Sequence, residues 1–284
     1  MKETYSHKAV QSFALWFEHF LLNKGQAYQN YSGSLYPTDD DRIDQDTYRT
    51  WSSPFKQWVY DSSVSGATIC NGVYDQSGQR GRNEGIIFDY NNGRIVVTSG
   101  DSGTEFSAAY SIKDFNTYVV DTEETKMIFD EAFHINSRYG MIPESGVSPY
   151  GYAAPACFIM NPLTENKPWA FGGEQNTTNK FRAIVVSDDK FALDGCVSLF
   201  RDLGETIIPI VSLKDDPLNE YGDLKSGSYS YAQLAEDNKD DYMFLEKVTA
   251  SKITSTQQTK LNPNLKYAII DFYLSHPRVP KQDS

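Results

Sequence analysis

Residues 6–24 carry an apolar pattern too wide for an ordinary surface helix. Val10, Phe13, Ala14, Phe17, Phe20 and Leu21 recur at helical spacing and make one stripe. Leu15, Trp16 and Leu22 then extend that stripe around the cylinder. A helix that is apolar over most of its circumference has to bury more than one face. The fold must therefore enclose its N-terminal helix: Phe13, Phe17, Phe20 and Leu21 are expected to face the chain's own core, with docking on another subunit as the alternative. Ser6 is placed to cap the start, and Lys24-Gly25 to stop the end.

The next hundred residues carry β signals. Residues 30–55 hold Tyr31-Ser-Gly-Ser, Pro37-Thr-Asp-Asp-Asp and Trp51-Ser-Ser-Pro, and are expected to be loop. Residues 57–61 and 67–74 are rich in β-branched and aromatic side chains and predict strands. The strongest hairpin signal lies at 85–98, where apolar runs flank Asn92-Gly93, a pair suited to the positive φ angles of a type I′ turn. Strands are also expected at 118–120 and 126–130, with a helix starting at Thr122-Glu-Glu-Thr as the alternative.

Composition shifts after about residue 138 towards Gly and Pro, as at Tyr139-Gly, Ile142-Pro, Ser148-Pro and Lys167-Pro. The apolar run 156–160 suits a buried strand. Residues 181–187, 189–203 and 205–213 then read strand, helix, strand, a unit compatible with a parallel, right-handed crossover. A short helix is expected at 231–235, and final strands at 244–253 and 267–274. The expected fold is α+β: a β-rich body with an N-terminal amphipathic helix, and a second α/β lobe containing the strand-helix-strand unit. The segments are 1–138 for helix plus β-rich domain, 139–243 for the α/β lobe with long loops, and 244–284 for strands that return to the body or pair with a neighbour. The long loops at 139–180 and 214–242 are the expected partner-reaching segments.

Charge excludes several functions. Among 284 residues, 38 acids oppose 26 bases, a net charge of −12. Avid nucleic-acid binding needs clustered Lys and Arg, and no such cluster exists. The same balance argues against an anionic membrane surface, and no apolar run is long enough to span a bilayer. The N-terminus lacks the pattern of a signal peptide, so none is expected. Hydrophobic residues at 39% and aromatics at 14% supply a real core and argue against disorder.

Chemical motifs are sparse. Gly100-Asp-Ser-Gly103 echoes the nucleophile loop of trypsin-like serine proteases, but Thr104 stands where that pattern has another glycine. The upstream histidines, His7 and His19, lie on the N-terminal helix, so a connecting loop is expected and no triad. Asp39, Asp40, Asp41, Asp44 and Asp46 lack the mid-loop glycine and closing glutamate of a calcium loop. Cys70, Cys157 and Cys196 form no CxxC pair; three reduced thiols are expected, with one disulfide plus a free thiol as the alternative. No catalytic, cofactor-binding or metal-ligating residue is assigned, and no cofactor. The 19 Tyr and 4 Trp suit either a carbohydrate-binding surface or a protein interface. A hydrolase site assembled from separated Asp and Glu remains a third possibility.

Three blocks carry a resemblance. They are Gly85-Ile-Ile-Phe-Asp-Tyr-Asn-Asn-Gly-Arg-Ile-Val-Val, Lys113-Asp-Phe-Asn-Thr-Tyr-Val-Val, and Ala170-Phe-Gly-Gly-Glu followed by Phe181-Arg-Ala-Ile-Val-Val. Over perhaps half the chain they resemble virion structural proteins of tailed bacteriophages, of the neck or head-to-tail connector kind. The resemblance implies a non-enzymatic ring subunit between portal and tail, with DNA passing through the lumen. Its partners would be copies of itself, the portal or an adaptor, and tail-terminator-like proteins, with transient DNA passage and no membrane. It would reside in the virion after assembly in the host cytoplasm. Phe13, Trp16, Phe17, Tyr221, Tyr229 and Tyr231 are the expected self-association or partner residues. The alternative is a glycan-binding or host-recognition module of a virion or cell surface.

Overall fold

The computed structural model describes residues 3–40, 43–101, 103–121, 134–135, 152–169, 173–253 and 264–278. The fold is mixed α+β and strand-rich. The expected strand at 126–130 and the Gly- and Pro-rich stretch 139–151 lie outside the described residues, as does the segment boundary at 138.

Helix α1 (Tyr5–Asn23) begins one residue before the expected Ser6 cap, with Thr4 in extended backbone at its N-cap. It ends where Gly25 approaches the Leu21 carbonyl so closely that a Cβ would lie 2.4 Å from the oxygen. The chain then builds two small antiparallel sheets. One has the order β1-β8-β4-β5, from Tyr28–Ser34 (β1), Ser107–Lys113 (β8), Val73–Asp75 (β4) and Gly78–Arg80 (β5). The other has the order β2-β3-β7-β6, from Tyr36–Thr38 (β2), Tyr48–Ser52 (β3), Arg94–Thr98 (β7) and Ile87–Asp89 (β6). They share a core in which Trp58 stacks on Tyr110 at 4.8 Å and Trp51 meets Phe106 edge-on at 5.0 Å. Three strands thus lie within the span expected to be loop; its polar residues occupy the outward positions of β1, where few side chains are buried.

The segment 57–61 is extended but not a strand. Trp58 makes a single bridge to Ile112, and its neighbour Val59 bonds the Ser111 carbonyl at 2.8 Å. Within 67–74, only Val73 and Tyr74 join a ladder. Trp58, Val59, Tyr60 and Val73 are buried, whereas Tyr74 is 48% exposed. The hairpin at 85–98 is present, with Asp89 opposite Arg94. Its connection spans four residues, and among them only Gly93 has positive φ, at 60°. The type I′ expectation fails because the Asp89 carboxylate accepts from the Asn92 backbone at 3.1 Å and from its Nδ2 at 2.7 Å. Those bonds hold Asn92 in an Asx-type turn. Gly93 is obligatory: a Cβ there would lie 2.1 Å from the Phe55 carbonyl oxygen.

The third sheet has the order β14-β15-β16-β13-β12-β9. Its strands are Asn116–Val119 (β9), Ala156–Pro168 (β12), Gln175–Ser187 (β13), Thr206–Pro209 (β14), Tyr242–Lys252 (β15) and Lys266–Arg278 (β16). A two-residue parallel pairing of His134–Ile135 (β10) with Ala153–Ala154 (β11) precedes β12. Strands β13 and β16 pair along their full length, from Gln175 opposite Arg278 to Ser187 opposite Lys266. Helix α2 (Lys190–Arg201) is capped by the Asp189 carboxylate, which accepts from the Phe191 and Ala192 amides at 3.1 Å. The short helix α3 (Tyr231–Asp237) precedes β15.

Two expectations are corrected here. The strand-helix-strand unit is not a parallel crossover. The C-terminal strands β15 and β16 insert between β13 and β14, and three successive antiparallel pairings leave β14 running opposite to β13. Helix α1, assigned from sequence to the β-rich body, packs instead on the third sheet and α2. Phe13, Phe17, Phe181, Phe200 and Phe272 form that contact, each fully buried. The opposite face of the sheet buries Phe158, Ile184, Val186 and Tyr267. Burial on both faces explains the continuous apolar runs in β12 and β13.

Phe17 lies flat on Phe200 at 4.4 Å and meets Phe272 edge-on. Replacing it with Ala is expected to cost about 3–5 kcal/mol in urea unfolding of the isolated chain. A loss below about 1 kcal/mol would contradict its place in the core.

Candidate assembly surface

The six residues expected at an interface separate into three groups. Phe13, Trp16 and Phe17 are 0%, 4% and 0% exposed. They are committed to the chain's own core, as expected of Phe13 and Phe17 in the helix, and this corrects the assignment of all three to an interface. The helix is apolar over most of its circumference because it is wedged against the third sheet on one side and α2 on another. Tyr231 is buried as well, and Tyr229 is partly buried against the cores of both lobes. Tyr221 alone is strongly exposed, on a loop beside Tyr48.

Tyr229 and Tyr231 belong to a polar seam joining the β-rich body to α1. The Ser62 amide and hydroxyl both donate to the Tyr229 carbonyl. The Tyr231 amide donates to Asp61 Oδ1 at 3.0 Å, and its ring stacks on His19 at 4.6 Å. His19 Nδ1 lies 2.7 Å from Asp61 Oδ2, while Ser63 donates to Oδ1 from both its amide and its hydroxyl. One helical position away, Glu18 pairs with Lys113 at 2.8 Å, and Lys113 also donates to Gln57 Oε1 and sits over the Tyr60 ring. Burial pushes the Tyr229, Tyr231 and Tyr60 phenols up, so all three stay neutral. Burial pushes the Asp61 carboxyl up as well, but the bonds from His19, Ser63 and Tyr231 outweigh it and hold Asp61 below the usual carboxylate value.

The seam revises the expectation for 214–242. Arg82 forks onto Asp223 at 2.7–3.0 Å, and Leu224 enters the core of the β-rich body. This segment is a strap folded into the molecule rather than a free arm.

The seam is not a catalytic triad. Asp61 stands between His19 and Ser63, whereas a triad needs the imidazole between carboxylate and hydroxyl to take the proton. Asp101 of the protease-like motif is held by Arg80 in two bonds of 2.8 and 3.1 Å; Ser102 lies outside the described residues. The acidic loop is likewise engaged: Asp40 accepts from Arg94, and Asp44 from Thr47. Asp41 lies outside the described residues. Among the described residues no group of three His, Cys, Asp or Glu is placed to hold a metal. The three cysteines are free and buried.

Exposed apolar side chains occur at Phe191 on α2, 85% exposed, and at both ends of the third sheet. At one end β14 has a strand neighbour on one side only among the described residues, and Ile207 is 51% exposed. Towards the other end, β9 covers only 156–159 of β12. Beyond a register shift at Met160–Leu163, the outer edge of β12 meets no further strand of the described residues. Leu163 there is 48% exposed, and Trp169 just past the strand is 60% exposed. No sequence signal separated these residues from core aromatics, because exposure at a sheet edge depends on strand order.

Asp61→Asn is expected to cost about 1.5–3 kcal/mol at pH 7, the weight of hydrogen bonds to a charged group. The native carboxyl titrates lower when folded than when unfolded, so its contribution is complete above about pH 4 and is lost as pH falls through the folded value. Unfolding followed against pH should therefore show a shallower acid slope in the variant. Part of the slope persists through Asp271, where burial raises the carboxyl but Arg182 and Lys180 lower it further. A variant as stable as the native chain at pH 7 would contradict the role given to the seam. No protein-family model and no curated protein matches the chain.

Proposed function

We propose that the chain is a non-enzymatic structural protein of a tailed-phage virion, a ring subunit of the neck that joins head and portal to tail while DNA passes through its lumen. The observation that carries this reading is the pair of unlike, half-exposed ends on a single sheet, Ile207 on β14 and Leu163 with Trp169 at the tip of β12. A closed ring needs two different patches on each copy, so that each subunit meets the next head to tail. Exposed strand edges are templates for pairing with another chain. The resemblance in the blocks at 85–97 and 113–120 directs this toward the neck. The net charge of −12 fits a lumen that lets DNA slide without holding its phosphates. The partners are copies of the chain, a portal or adaptor and a tail-terminator-like protein. The site of action is the virion, assembled in host cytoplasm. No helix among the described residues is long and apolar enough to cross a membrane.

Native mass measurement of the full chain, alone and mixed with portal and tail proteins, is expected to give a discrete multiple of the subunit mass. Ile207→Lys and Trp169→Glu should each remove that species and leave the melting temperature of the subunit unchanged, since both side chains are outside the core. Apolar contacts dominate such an interface, so moderate salt should not disperse the ring. A chain that stays monomeric under all of these conditions would contradict the proposal.

A further inference from the structure

A cleft of about 650 Å³ opens beside the second small sheet, between the loop around Asp44, the turn after β6 and the loop carrying Tyr221. Its size is that of a small-molecule site. The floor is a buried, pre-set donor. Arg94 is only 6% exposed, and its guanidinium is clamped by Asp89 Oδ2 on Nε at 2.9 Å and by Asp40 Oδ2 on Nη1 at 2.7 Å. Nη2 has no hydrogen-bond partner among the described residues, although Arg94 lines the cleft. The two clamps fix the plane of the fork, so this nitrogen is held in place before any ligand arrives.

The walls supply the other half of the chemistry. Tyr48 and Tyr221 are 39% and 62% exposed and both line the opening. The Tyr221 loop is pressed against the floor. The Tyr90 amide donates to the Gly222 carbonyl at 3.0 Å, and a Cβ on Gly222 would lie 2.4 Å from Asp89 Oδ1. Gly222 has φ of 79°, so both its conformation and its spacing demand glycine. The exposed tyrosine is thus carried on a fixed loop.

We infer that this cleft binds a neutral saccharide. A sugar ring presents an apolar C–H face that covers an aromatic ring, together with hydroxyls that both donate and accept. Tyr48 and Tyr221 provide the faces. Arg94 Nη2 and the side-chain amide of Asn91 are the donors, and the carboxylates of Asp44 and Glu220 are the acceptors. Charge selects within the class. Among the described residues that line the cleft, four carboxylates, Asp40, Asp44, Asp89 and Glu220, accompany one guanidinium, which disfavours sialic acid, uronic acids and phosphate. A purely apolar ligand would leave the Arg94 donor buried and unpaired. The inference is independent of the ring proposal, since no residue of the sheet ends lines the cleft.

The test is an array of neutral and anionic oligosaccharides probed with the labelled full chain, followed by titration calorimetry with the neutral oligosaccharide that gives the strongest signal. Neutral glycans are expected to bind, and acidic glycans of equal size to bind at least about tenfold more weakly. Tyr221→Ala should weaken binding about tenfold, as loss of an aromatic contact does. Tyr221→Phe, which keeps the ring and removes its hydroxyl, should restore native affinity. Unchanged melting temperatures in both variants separate loss of contact from loss of fold. An array with no neutral ligand, a preference for acidic glycans, or affinity indifferent to Tyr221→Ala would each overturn the assignment.

Discussion

Phe13 of α1 lies flat on Phe181 of β13 with ring centroids 4.4 Å apart, and one turn later Phe17 lies flat on Phe200 of α2 at the same distance. Phe272 of β16 meets Phe13, Phe17 and Phe200 edge-on. These five rings gather the first helix, the central hairpin strand, the second helix and the last strand at one point. Each fully buried phenylalanine stabilises the fold by about 1.5–3 kcal/mol, and well-placed ring pairs add about 0.5–1.5 kcal/mol each. With β16 in the middle of the sheet, Phe272 reaches rings from both helices.

The other edge of α1 explains how the β-rich body is attached. Glu18 and His19 follow Phe17 directly, and they turn to Lys113 and Asp61 of that body. Buried charge is costly unless it is paired, and here each charge has a partner and additional hydrogen bonds. One helix therefore binds one lobe by apolar stacking and the other by a buried polar seam, while the strap through Asp223, Tyr229 and Tyr231 ties the two together again. The ends of the third sheet are left outside this arrangement, which is why assembly is proposed there rather than on the aromatic helix.

Much of the architecture was legible in residue pattern. The width of the apolar arc on 6–24 required a helix buried on several sides, and the flanks of Asn92-Gly93 required a hairpin. Asp189 followed by an amphipathic run located α2 within about a turn. What pattern did not carry was long-range order. Nothing local in 244–274 distinguishes an edge strand from a central one, and so the crossover between β13 and β14 was misassigned. The turn at 90–93 escaped because the decisive group, the Asp89 carboxylate, acts from outside the two turn residues. The candidate interface was read from aromatic identity alone. Phe13, Trp16 and Phe17 look the same in sequence whether they face a core or a neighbour, and Tyr221 differs from Tyr229 and Tyr231 only through the folding of the strap. The buried Arg94 fork was invisible, since Asp40 and Arg94 are far apart along the chain.

The central physical claim is that α1 joins both lobes into one cooperative unit. Native-state hydrogen exchange across a urea series tests it directly. Amides of α1, of β13 and β16, and of β7 and β8 should open with the same free energy and the same denaturant dependence, because no lobe can unfold while the helix holds both. Release of α1 amides at a clearly lower free energy than either sheet, with the sheets remaining protected, would contradict it.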